Sequence, residues 1–145
     1  MGETIRFFAE GTPKPLARPR ATSWRARDGT LRARVYDGGS SRDWGERVGA
    51  AALAVRPREP LHVPVSVTLT FYLPRPARLK RPSVPPQRCR HSGRPDLDNL
   101  IKRVLDSVPS LIADDKLVCE ISASKWYAAV DAPCGVEVEI ATAEP

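Results

Sequence analysis

The sequence predicts a single domain of the α/β class that spans residues 1–145. A length of 145 residues with a hydrophobic fraction of 41% suits one modest core. One segment alternates apolar and polar residues, as a β-strand does, and two others repeat apolar residues at helical spacing. Because strands and helices interleave along the chain, we expect a sheet packed against helices.

The first half of the chain predicts one strand and one helix. Ile5 to Glu10 has the pattern of a short strand. Ser40 or Ser41 is placed to cap a helix that runs to about residue 55, and Asp43 favours its first turn. The apolar residues of this helix form one stripe, which we predict to lie in the core: Trp44, Val48, Ala51, Ala52 and Val55.

The second half predicts two strands and a second helix. The clearest strand is 63–73, with Val63, Val65, Val67, Leu69, Phe71 and Leu73 on one face and Ser66, Thr68, Thr70 and Tyr72 on the other. Residues 116–126 alternate in the same way. Between these strands, Leu97, Leu100, Ile101, Val104, Leu105 and Val108 recur at helical spacing. A helix therefore starts at or just after Asp96, and Pro109 stops it.

The charge of the chain favours a polyanionic partner. The net charge of +6 and pI near 9.7 indicate nucleic acid before a membrane. Two proline- and arginine-rich segments, 11–34 and 74–95, concentrate the positive charge, and the second has no acidic residue. Solvated loops would explain them, but we prefer extended arms laid along a phosphate backbone. The predicted DNA contacts are Lys14, Arg18, Arg20, Arg75, Arg78, Lys80, Arg81, Arg94 and Lys125.

Several classes of protein are disfavoured by the same sequence. Three scattered cysteines suit neither a zinc ligand set nor a disulfide framework. Cys89 and His91 lie close together but lack a second ligand pair, so we interpret them as incidental. The sequence opens with no apolar leader and contains no apolar run of bilayer length, so we expect a cytoplasmic protein without a membrane partner.

A pair of aspartates at the start of the second helix is the first candidate site. Asp96 and Asp98 fall at its cap and first turn, where unpaired backbone N–H groups and the helix dipole favour carboxylates. A purely structural role is equally consistent with these residues, with Asp98 and Lys102 forming an i, i+4 ion pair. On this segment alone, both interpretations stay open.

A second acidic pair shifts the balance towards a metal site. Asp114 and Asp115 stand together before the last predicted strand, and adjacent carboxylates repel unless a cation neutralises them. If the start of this strand lies beside the start of the helix, the carboxylates of Asp96, Asp98 and one of these two aspartates lie close enough to bind the same ion. Three carboxylates suit Mg²⁺ or Mn²⁺ better than zinc.

Such a site beside basic segments predicts phosphodiester hydrolysis. A metal there would polarise the scissile phosphate and lower the pKa of an attacking water. Lys102, one helical turn after Asp98, is placed to offset charge in the transition state. Lys125 is a second candidate for this role, or for a contact with a flanking phosphate.

The same residues resemble the RusA family of Holliday-junction resolvases. The resemblance rests on Arg94-Pro-Asp-Leu-Asp-Asn-x-x-Lys102, on the Asp114–Asp115 pair and on the strand that carries Lys125. The proline- and arginine-rich opening from Gly11 to Arg20 and the segment from Tyr36 through Trp44 to Val48 are also similar to the family pattern. Most of the chain is covered, in the same order.

The resemblance implies more than the residues do by themselves. It implies a small mixed β-sheet flanked by two main helices and assembled as a homodimer. It also implies cleavage of four-way DNA junctions by paired symmetric nicks with Mg²⁺ or Mn²⁺, in recombination and repair, with a phage origin plausible. Carried over to this sequence, Asp96, Asp98 and Asp115 match the metal ligands, Lys102 matches the catalytic lysine, and Asp114 ranks below Asp115. Two matched nicks need two active sites related by a two-fold axis, which a dimer provides.

Three alternatives compete with a junction resolvase. A less selective branched-DNA nuclease would use the same metal site. A non-catalytic DNA-binding protein would use the aspartates only as helix caps. A glycosyltransferase with a metal-binding D-x-D motif needs a nucleotide-sugar domain far larger than this chain.

Overall fold

The computed structural model describes residues 2–16, 20–36 and 40–143. The elements in chain order are β1 (Thr4–Glu10), β2 (Arg20–Arg25), β3 (Leu31–Tyr36), α1 (Ser40–Ala54), β4 (Val65–Leu73), β5 (Cys89–Arg90), α2 (Leu97–Leu105), β6 (Val118–Tyr127) and β7 (Gly135–Thr142). Short 3₁₀ turns lie at Ala77–Leu79 and Asp115–Leu117. In this part of the chain, no helix is both long and apolar enough to span a membrane.

The main sheet is mixed, as the family resemblance implied. Among the described residues its strand order is β1-β7-β4-β6-β5. β4 and β6 run parallel, whereas β7 is antiparallel to both of its neighbours and β5 is antiparallel to β6. The chain between β4 and β6 includes α2, so these three elements form a parallel crossover unit.

The core lies between the sheet and the two helices. The predicted inner face of β4 is buried from Val65 to Leu73, and Phe71 is fully covered. Three residues of the predicted α1 stripe, Trp44, Val48 and Ala52, are also buried. The core prediction for Val55 is wrong: it is exposed, because α1 ends at Ala54. Val63, predicted to lie in the strand, is outside it and exposed, because β4 begins only at Val65.

The predicted helices and strands are largely confirmed, and four strands, β2, β3, β5 and β7, were missed. β1, β4, β6, α1 and α2 match the expected segments within a few residues. β7 was not predicted, although Val136, Val138 and Ile140 alternate with glutamates as a half-buried strand requires.

The segment after β1 is more ordered than expected. An extended arm was predicted for residues 11–34, but β2 and β3 pair as an antiparallel hairpin in which Trp24 lies opposite Arg32. The turn between them uses Gly29 at a φ of 87° and an Asp28 carboxylate that accepts from the Thr30 backbone N–H at 3.0 Å. This Asp-Gly turn was the missed signal. Arg18, and the side chains of Arg20, Tyr36 and Ser40, lie outside the described part of the chain.

The long basic loop 74–95 is organised around one buried arginine. The Arg75 guanidinium donates to the backbone carbonyls of Ala128, Leu79 and Pro85 at 2.8, 2.9 and 3.0 Å, and also to that of Gln87. Its exposed fraction is only 7%. Because these bonds satisfy carbonyls that would otherwise be unpaired, Arg75 stabilises the loop, and its buried guanidinium is not available for the DNA contact that the sequence predicted.

Candidate active site

The start of α2 lies at the carboxyl ends of β4 and β6. In a parallel crossover unit the helix runs antiparallel to both strands, so its first turn returns to their carboxyl ends. Lys125, near the end of β6, fixes this placement: its Nζ donates to the carbonyl of Pro95 at 2.7 Å and also to that of Gly93. Lys125 is thus a half-buried tether for the segment that precedes α2.

Asp96 and Asp98 are available to a ligand. Asp96 is the N-cap residue of α2 by its backbone, with φ −69° and ψ 140°, yet its side chain makes no capping hydrogen bond. Both carboxylates are exposed, and within the described residues neither forms a hydrogen bond or an ion pair. The purely structural interpretation needs Asp96 to accept from the first turn, so this geometry disfavours it.

Lys102 does not form the predicted pair with Asp98. Its Nζ lies 3.5 Å from a carboxylate oxygen of Asp106, one turn further along α2. Both side chains are partly exposed, and such a pair contributes little to stability. Lys102 therefore remains one helical turn from Asp98, and its long side chain can exchange a weak partner for a phosphate.

A cleft of about 840 Å³ opens beside Asp96. Its wall carries two cations, Lys14 and Arg94, together with His91 and Asn99. The segment that carries Lys14 is held to α2 by a backbone hydrogen bond of 3.0 Å from Leu16 N–H to the Asn99 carbonyl. The cleft thus presents two cations and one carboxylate at the helix start, an arrangement suited to a phosphate and a metal ion.

His91 belongs to this cleft, which the sequence did not reveal. Its ring packs against Tyr127 with centroids 4.3 Å apart, and the residue is 9% exposed. Burial, followed by the positive charge of Lys125, lowers the pKa of the His91 imidazole below its ordinary value. The imidazole is therefore neutral at pH 7 and adds no charge to the cleft.

Asp114 and Asp115 have different surroundings. The Asp114 carboxylate accepts from the Lys116 backbone N–H at 3.0 Å and lies 3.8 Å from the Lys116 Nζ. Asp115 is exposed, and among the described residues its carboxylate has no hydrogen-bond or ion-pair partner. Asp114 thus caps the 3₁₀ turn while Asp115 is free to bind a cation, which supports the ranking given by the family resemblance.

The predicted meeting of three carboxylates within one chain is wrong. Asp115 precedes β6, whereas Asp96 lies beside Lys125 near its end. From Val118 to Lys125 the strand advances seven residues, roughly 23 Å at about 3.3 Å per residue. Accordingly, no three His, Cys, Asp or Glu side chains in the described ranges are grouped closely enough to hold one metal ion. Because β4 and β6 are parallel, the start of α2 lies at their carboxyl ends, whereas the start of β6 lies at their amino ends.

The other predicted DNA contacts occupy two places. Lys14 and Arg94 line the cleft, while Arg78, Lys80 and Arg81 are exposed on the loop near the 3₁₀ turn. These positions leave all five guanidinium or ammonium groups accessible.

Comparison with known proteins adds two findings. A family model described as endodeoxyribonuclease RusA matches residues 10–141. The chain is also similar to the uncharacterized protein YqaN of Bacillus subtilis (strain 168), with 30% identity over 131 residues that cover 86% of this chain and 89% of that protein.

Proposed function

Because the chain belongs to the RusA endodeoxyribonuclease family, we propose that it resolves four-way DNA junctions by paired symmetric nicks that depend on Mg²⁺ or Mn²⁺. The family itself implies nuclease action on junction DNA, and it confirms the resemblance drawn from the sequence. The observation that carries the proposal is the pair of unengaged carboxylates, Asp96 and Asp98, at the start of α2 beside a cleft with two cations.

The metal ligands we propose are Asp96, Asp98 and Asp115. Their oxygens are the hard donors that Mg²⁺ and Mn²⁺ prefer, and none of the three is engaged elsewhere in the described part of the chain. One chain supplies only the first two at the start of α2, where Asp96 lines the cleft, so the third would come from Asp115 of a partner. A bound metal ion would supply Lewis acidity at the phosphate and a more acidic water.

The remaining residues would bind and orient the DNA strand. Lys14 and Arg94 flank the cleft and would hold the phosphates on either side of the cleaved bond. Lys102 would place its ammonium group near the charge that develops on the scissile phosphate. Lys125 would act as a positioning residue, because it fixes the backbone directly before Asp96.

An unpaired strand edge offers the interface for a homodimer. β5 pairs only with Trp126 and Tyr127, and the His91 N–H donates to the Lys125 carbonyl, so among the described residues no strand covers the outer edge of β6 from Val118 to Ser124. Such an edge is a template for another strand. Two copies pairing antiparallel through β6 would form one continuous sheet.

The same pairing would complete the metal site. An antiparallel arrangement sets the amino end of one β6 beside the carboxyl end of the other. Asp115 of each protomer would then approach the partner's Asp96 and Asp98, giving two equivalent sites about a two-fold axis. A four-way junction has the matching approximate symmetry, and paired nicks need two sites.

Ile121→Lys is expected to break the dimer. Ile121 lies on the free edge and is 45% exposed, and near a two-fold axis it would bring two lysines together. Sedimentation should show dissociation at concentrations where the wild type is dimeric, with loss of cleavage. The matched control is Val63→Lys, since Val63 is 46% exposed but lies before β4. An Ile121→Lys chain that stays dimeric would rule out this interface.

The decisive test of the function compares three DNA substrates with Mg²⁺ or with EDTA. We expect paired symmetric nicks in a synthetic four-way junction, no cleavage of a matched linear duplex, and no activity in EDTA. Equal cleavage of a three-way flap would support the less selective branched-DNA nuclease instead. Tight binding without cleavage in any divalent metal would support the non-catalytic DNA-binding protein.

A further inference from the structure

Two arginines stack on one tryptophan at the edge of the sheet next to the cleft. The guanidinium carbons of Arg88 and Arg90 lie 3.9 and 4.3 Å from the centroid of the Trp126 ring. Arg88 also donates to the Tyr72 hydroxyl at 3.2 Å, and the Trp126 indole N–H donates to Ser124 at 2.9 Å. We call Arg88, Arg90 and Trp126 the arginine stack.

The arginine stack lies on the side of the sheet that faces away from the helices. Successive residues of a strand point to opposite faces, so Trp126 faces away from the side on which Lys125 holds the start of α2. Tyr72 and Arg90 are the register partners of Trp126 on the two neighbouring strands and share its face. The stack therefore lies on the opposite face of β6 from Lys125, which holds the segment that lines the cleft.

Neither arginine is neutralised. Both are exposed, and among the described residues neither forms an ion pair with a carboxylate. The surrounding loop, residues 74–95, contains no acidic residue. A guanidinium group stacked on an indole ring is oriented by that ring, while the N–H groups that have no protein partner stay in the plane to bind phosphate oxygens. In Arg88 one terminal nitrogen is bonded to Tyr72, and the other terminal nitrogen remains for a phosphate.

We propose that the arginine stack is a second phosphate-binding site, which holds the DNA backbone on the far side of β6 from the cleft. The inference rests on the proposed function for its ligand, because a DNA strand bound at Asp96 would continue past the carboxyl end of β6, where Trp126 lies. Arg88 and Arg90 would each contact one backbone phosphate. Trp126 orients both arginines and does not itself contact the DNA.

The test is the salt dependence of DNA binding, measured in EDTA so that cleavage plays no part. Each phosphate contact contributes about 0.9 to the slope of log Kd against log salt for duplex DNA. The double variant Arg88→Gln/Arg90→Gln should therefore lower the slope by about 1.8 on a four-way junction and on a linear duplex alike. Trp126→Leu keeps both charges but leaves both arginines to be ordered on binding, so it should weaken binding by roughly twofold or more for each of them while the slope stays unchanged.

The matched control is Arg6→Gln/Arg42→Gln. It removes the same net charge from β1 and from α1, which packs on β1 at the opposite edge of the sheet. We expect its slope to match that of the wild type. An unchanged slope in the Arg88/Arg90 variant, or an equal change in the control, overturns the inference. A lower unfolding midpoint with an unchanged slope would show that the stack only packs the loop.

This outcome is distinct from the outcome for the proposed function. If the slope falls as expected but the wild-type chain cleaves no junction, the phosphate site stands and the nuclease proposal fails. If the slope is unchanged while the wild-type chain nicks junctions, the nuclease stands and the arginine stack has no role in DNA binding.

Discussion

Asp98→Asn is expected to abolish junction cleavage and to leave junction binding intact or tighter. The change removes one proposed metal ligand at the start of α2, where the side chain is exposed and unpaired. Loss of such a ligand should lower the cleavage rate by about a hundredfold or more. Binding should not suffer, because the variant has one negative charge fewer beside the phosphates. Single-turnover nicking and gel-shift titration on the same junction measure the two effects separately.

The control for this experiment is Asp43→Asn. Asp43 is also an exposed first-turn aspartate, but in α1, so it reproduces the helix-dipole and net-charge effects without touching the cleft. We expect near wild-type cleavage from it. Retained cleavage in Asp98→Asn would refute the metal assignment, and equal loss in both variants would indicate a general effect on the helices.

Mixing two inactive variants is expected to restore nicking if the active site is shared between protomers. Asp98→Asn and Asp115→Asn should each be inactive as homodimers. In a heterodimer of the two, one site combines both substitutions, whereas the other combines an intact Asp98 with an intact Asp115. That dimer has one working site, so the mixture should produce single, unpaired nicks in a four-way junction.

The result discriminates between the two placements of Asp115. If all three carboxylates came from one chain, neither protomer of the heterodimer would be intact, and the mixture would be as inactive as its parents. A mixture of Asp96→Asn with Asp98→Asn is the control, because both residues lie at the same end of α2 and cannot complement under either arrangement. Nicking by that control mixture would show contamination or residual activity in place of shared sites.

The features that the sequence predicted correctly depend on local patterns. The start of α2 at Asp96 follows from its apolar period and flanking prolines, and β4 follows from strict alternation over residues 65–73. The likeness to the RusA family also came from short motifs and was confirmed by the match to residues 10–141. Such patterns predict an element correctly because each helix or strand must bury one face, whichever elements it packs against.

The sequence by itself determined the nature of the catalytic candidates: carboxylates, a lysine one turn away and a basic surround. Only the tertiary structure decided where they lie. Asp115 is separated from Asp96 because β4 and β6 are parallel, and strand direction leaves no trace in the alternation of side chains. Arg75, one arginine among many in a basic loop, is buried because four backbone carbonyls converge on it. Such long-range contacts depend on how the elements pack, whereas the sequence records only how each element begins, alternates and ends.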